Sequence, residues 1–91
     1  MMKIAKTDGS KEELDEGKLW ESLYYPAREA HYEEDDAVDI ADQVKDKLMD
    51  WMQHHGDNVV TTKEVSERAE ELLREIDDHV ALMYDKHLDI N

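Results

Sequence analysis

Apolar residues recur along most of the chain at intervals of three and four, the spacing that lays them along one face of a helix. Leu19, Trp20, Leu23, Tyr24 and Ala27 form the first such stripe, with Asp15 placed to cap its amino end and Glu16 to favour its dipole. Pro26 interrupts that stripe and is expected to kink the helix or to end it near Tyr25, because its ring removes a backbone donor and crowds the preceding turn. A second stripe, Ala37, Ile40, Ala41, Val44, Leu48, Trp51 and Met52, follows the acidic cap Glu33-Glu34-Asp35-Asp36 and stops around His54-His55-Gly56. Asp57-Asn58-Val59-Val60 reads as a connector with both valines under the core. Thr61 and Glu64 have capping-box spacing and open a third stripe of Val65, Ala69, Leu72, Leu73 and Ile76. Asp77 or Asp78 caps a fourth, carrying Val80, Ala81, Met83, Tyr84 and Leu88.

The amino-terminal stretch reads differently. Ile4-Ala5-Lys6 and Lys11-Glu12-Glu13-Leu14 flank Thr7-Asp8-Gly9-Ser10, where Gly9 supplies a positive φ and Asp8 can bond its own backbone. The pattern predicts a β-hairpin over residues 4–14 and helices over approximately 15–30, 35–55, 62–76 and 78–88. The fold class is α+β and mostly α: a short hairpin packed on a bundle of four helices. At 91 residues the chain has room for one domain over 1–91 and a small core.

Composition narrows the function. With no Cys, disulfides and thiolate zinc sites are excluded. No run approaches the ~20 apolar residues of a membrane span, and the start Met1-Met2-Lys3-Ile4 lacks a secretory signal, so a cytoplasmic protein is expected. A formal net charge of −14 argues against nucleic acid as partner. Residues 1–18 carry only −1 of it and the remainder −13, so an anionic ligand would settle at the amino-terminal end. There, Lys6 and Lys18 with the Gly9 turn have the chemistry to cradle phosphates.

Other chemistry finds little support. His54 and His55 point about 100° apart on a helix. His31 and Asp35 straddle a helix break, and His79 and His87 lie two turns apart, so no metal site is expected. Acid pairs such as Asp35-Asp36 and Asp77-Asp78 are common in a chain with 25 acidic residues, and the serines lack a nucleophile setting, so no enzyme is expected. Trp51 reads as core. Trp20 or Tyr25 reads as partly exposed and able to mark a docking patch.

The ordered pattern Ile4-x-Lys6-x-Asp8-Gly9-x-x-Glu12-x-Leu14-Asp15-x-x-Lys18-Leu19 resembles the opening motif of the ATP-cone, the regulatory nucleotide-binding domain of ribonucleotide reductases and of a zinc-ribbon repressor of reductase genes. Thr61-Thr62-Lys63-Glu64-Val65 is similar to that family's third-helix entry, and Val80-Ala81-x-x-Tyr84 to its closing signature. The resemblance covers roughly residues 3–88. It implies that the hairpin and first helix hold ATP or dATP, with Mg2+ arriving on the phosphates. Lys6 and Lys18 then fall on phosphate-gripping positions, and Ile4, Leu14 and Leu19 on apolar positions near the nucleotide. Glu12 falls on a polar one and Thr62 where the third helix reaches the base or sugar; Gly9 serves the turn. Thr7 stands where the family usually has Arg, and Ser66 where reductases have His. The resemblance implies a stand-alone regulatory copy acting on a protein partner or as a homo-oligomer. The two departures motivate the alternative, a degenerate cone-like scaffold that serves protein interaction without nucleotide.

Overall fold

The computed structural model describes residues 3–5, 11–54 and 59–90, with side chains described for 14–54 and 60–86. In chain order the elements are β1 (Lys3–Ala5), β2 (Lys11–Glu13), α1 (Glu16–Glu29), α2 (Glu34–Gln53), β3 (Val59–Thr61), α3 (Thr62–Ile76) and α4 (Asp78–Ile90). Most of the described chain is helical, as the apolar spacing predicts. Helix α1 packs on α2 and α4, and α3 packs on α4 and α2. Their facing stripes interlock around Leu23, Val44, Leu48, Met52, Leu73 and Val80, all fully buried. No charged side chain is buried among the described residues, so the core carries no desolvated charge.

Each helix end has an identifiable chemical cause. Asp15 is extended and its carboxylate accepts the Lys18 N–H at 3.1 Å, starting α1 as expected. Pro26 does not end that helix. Its ring is fully buried, and the Ala30 N–H bonds the Pro26 carbonyl at 3.0 Å, so the turn that follows the proline is still helical. Burial of the ring in the core offsets the bond lost to the carbonyl four residues earlier, and the helix runs on to Glu29. The helix ends instead in a Schellman arrangement, with the Tyr32 N–H on the Ala27 carbonyl at 3.1 Å and the His31 N–H on the Arg28 carbonyl at 3.0 Å. His31 occupies the left-handed position at φ 74°, where glycine is the usual choice.

Helix α2 starts without a side-chain cap bond from Glu33, so its acids act through the helix dipole. It closes at His54; Gly56, expected to terminate it, lies outside the described residues. The capping box of α3 is complete: the Thr61 hydroxyl accepts the Glu64 N–H at 3.0 Å, and the Glu64 carboxylate accepts the Thr61 N–H at 3.2 Å. Thr61→Ala removes one of these two bonds and is expected to cost about 1 kcal/mol, read as a lower urea midpoint at unchanged slope.

Three expectations need correction. Val59–Thr61 is not a connector but a strand, running parallel to β1, and it gives a three-stranded sheet in the order β2-β1-β3. A run of two valines shows no period of its own, and its partner sits 56 residues away. Ile76 is 37% exposed, because α3 stops at once and its last turn outruns the core. Trp51 is half-buried, packed against the core from its edge. β1 and β2 pair antiparallel with Ile4 opposite Glu12, while the turn 6–10 lies outside the described residues. Leu14, expected at the end of the second strand, follows β2 as half-buried chain leading into α1. The side chain of Leu88 is also outside the described set.

Candidate functional site

The amino end of α1 and the amino end of α3 are the two places where the singled-out residues gather. On α1, Lys18 is exposed in the first turn and Leu19, the next residue, is buried. Leu14 packs half-buried on the same core just before the helix. The Lys18 N–H is taken up by the Asp15 carboxylate. What Lys18 offers an anion is therefore its ammonium group, not that backbone donor, and the neighbouring carboxylate opposes part of its field.

A further cation stands here that sequence reasoning missed. Lys45, midway along α2, places its ammonium 3.2 Å from the Glu16 carboxylate at the start of α1. The antiparallel packing of α1 on α2 makes this meeting, which no local spacing reveals.

The third strand supplies the link to α3. Its register sets Ile4 opposite Val60 and Ala5 opposite Thr61, the cap of α3. Thr62, exposed in the first turn, thus begins its helix beside the point where the chain leaves β1. Lys6, Thr7 and Gly9 lie outside the described residues, as do the side chains of Ile4 and Glu12.

Ser66 lies one turn further into α3, half-buried, with its hydroxyl hydrogen-bonded to that of Tyr84 on α4. Tyr84 is 4% exposed, and burial pushes its hydroxyl above the usual phenol range, with Ser66 opposing and Glu70 adding to the rise. Ser66 is thus part of a contact between α3 and α4. Tyr84 was legible as an inward-facing aromatic and as the last residue of the Val80-Ala81-x-x-Tyr84 pattern, but not as the partner of Ser66.

A separate open cleft of about 300 Å³ runs between α2 and α3, lined by Trp51, Glu64, Glu67, Arg68 and Glu71. Three carboxylates against one guanidinium make it unsuited to a polyphosphate. Arg68 itself pairs with Glu71 at 3.1 Å. Among the described residues, no group of three or more His, Asp or Glu side chains converges on a metal position, and no helix is long and apolar enough to cross a membrane.

Comparison with protein families matches residues 2–84 to the model described as ATP cone domain. Comparison with curated proteins returns no match.

Proposed function

Because this chain belongs to the ATP-cone family of nucleotide-binding regulatory domains, we propose that it binds ATP or dATP between its amino-terminal strands and the first turns of α1 and α3. In this reading Lys6 and Lys18 neutralise the phosphates, assisted by the Gly9 turn. Ile4, Leu14 and Leu19 line the nucleotide's apolar side, Glu12 bonds a polar edge, and Thr62 reaches the base or sugar. Thr7 sits beside the phosphates without adding charge, and Ser66 borders the base. Mg2+ enters on the triphosphate, which needs few protein oxygens of its own. The packing of the β1–β2 pair over the helices belongs to the same proposal. The domain is regulatory and not an enzyme. Its output is a change in how it meets a partner protein or a second copy.

One observation carries this reading: the family match extends over nearly the whole chain, through the entries to α1 and α3 alike. The β1–β3 register supports it by setting the start of α3 beside the strand that bears Ile4. Isothermal titration of the full chain with ATP, dATP and ADP, with and without Mg2+, is expected to give saturable heat for at least one triphosphate. Absence of heat at millimolar ligand ends the proposal.

A specific observation favours a second reading, a cone-like scaffold without nucleotide. The Ser66 hydroxyl is already engaged by Tyr84, and Thr7 provides no cation. An amide shift map separates the two readings: ATP-induced shifts at Lys6, Gly9 and Lys18 support the sensor, and their absence supports the scaffold.

A further inference from the structure

At the end of the bundle away from the sheet, the turn between α1 and α2 meets the junction between α3 and α4. Tyr32 donates its hydroxyl to Asp77 Oδ2 at 2.5 Å, and the other oxygen of Asp77 accepts the His79 N–H at 2.8 Å. Arg28 Nη1 donates to the Tyr32 carbonyl at 3.3 Å. These bonds fix the two backbones that carry His31 and His79. Both histidines are exposed, and their ring centres stand 6.4 Å apart at an interplanar angle of 55°.

Two imidazoles on separate, mutually anchored elements are the donor set that borderline divalent ions prefer. With a metal–nitrogen distance of about 2.1 Å, and about 1.1 Å from nitrogen to ring centre, a tetrahedral pair has ring centres about 5.2 Å apart. The observed spacing is about 1 Å wider, within the reach of small side-chain rotations that leave both backbones in place. The surroundings favour a cation. Glu33, Glu34, Asp35 and Asp36 open α2 at this end, and Asp77 and Asp78 directly precede His79. The nearby cation Arg28 is directed at a carbonyl.

We propose that His31 and His79 form a two-imidazole site for a Zn2+-class transition-metal ion, with water completing the coordination, and that its occupation staples the α1–α2 turn to the start of α4. The two residues are 48 positions apart, so no sequence spacing announces the pair. The site lies at the opposite end of the helices from the proposed nucleotide position and does not depend on it.

The test uses the full chain without a histidine tag. Zn2+ is titrated by calorimetry and by NMR of the histidine ring protons, with Mg2+ as the hard-ion control. The expected result is saturable Zn2+ binding that moves the His31 and His79 ring signals first and raises the melting temperature, with no such response to Mg2+. His31→Ala and His79→Ala each weaken binding by about tenfold or more, since half the protein ligands are lost. His54→Ala leaves it unchanged. His79→Gln provides the same readout should the alanine variant fold poorly. Zn2+ affinity unaltered in the His31 and His79 variants, or ring signals that stay still while zinc binds elsewhere, overturns the proposal.

Discussion

Lys18→Ala is expected to weaken ATP or dATP binding by about 10–100-fold, the worth of one charge-assisted phosphate contact. The substitution is clean because the Lys18 N–H, not its side chain, makes the cap contact with Asp15, so helix α1 keeps its start. A thermal melt should therefore coincide with that of the unaltered chain while the titration changes. Lys47→Ala supplies the control. It removes an exposed cation of the same type that lies outside the proposed contacts and should leave affinity nearly unchanged. If Lys18→Ala binds nucleotide as tightly as the unaltered chain, the phosphates are held elsewhere. Lys18→Arg should retain most of the affinity, which separates the charge from the shape of its carrier.

The largest effect on stability is expected from Leu48→Ala. This side chain is fully buried in the second half of α2, between Val44 and Met52 on the same stripe. Truncating it removes apolar contact and leaves a cavity, at a cost of about 2–5 kcal/mol. A domain of this size has a total of only roughly 5–10 kcal/mol, so the variant is expected to be partly unfolded at moderate temperature. Urea denaturation followed by helical circular dichroism should show a much lower midpoint. Leu82→Ala is the matching comparison. Leu82 is 50% exposed on α4, and its loss should change stability by less than about 0.5 kcal/mol.

The helices were legible because their signals are local. A stripe of period 3.6, a capping residue and an acid in the first turn all lie within one or two turns of the sequence they organise. That is why the starts of α1 and α3 fall at Asp15 and Thr61 as expected. What was not legible depends on partners far along the chain. Val59–Thr61 becomes a strand because β1 lies beside it, Lys45 meets Glu16 because α2 folds back on α1, and Ser66 finds Tyr84 across a helix pair. Pro26 shows a different limit. A rule about backbone donors foresaw a kink or an end near Tyr25; with the proline ring buried in the core, α1 runs past it to Glu29. His31 is a third kind of case, a non-glycine residue holding a left-handed position because the two bonds around it close the helix.

Of the candidate site, the described residues give position to Lys18, Leu19, Leu14, Thr62 and Ser66, at the entries to two helices. The order of the motif residues along the chain carried that grouping, since each entry to a helix bears its own short signature. The bond from Ser66 to Tyr84 was beyond it, because a hydroxyl's partner is chosen by packing.

Helix α1 also carries its own optical gauge. The Trp20 indole stacks on Tyr24 at 4.8 Å and donates its N–H to the Asp42 carboxylate of α2 at 2.8 Å. Lys18 and Leu19 precede it directly, so any slide of the helix toward or away from a ligand at its amino end must stretch that hydrogen bond or tilt that stack. Indole emission responds to both. In a Trp51→Phe background, Trp20 alone would turn axial movement of the first helix into a change in colour and brightness, with no label attached.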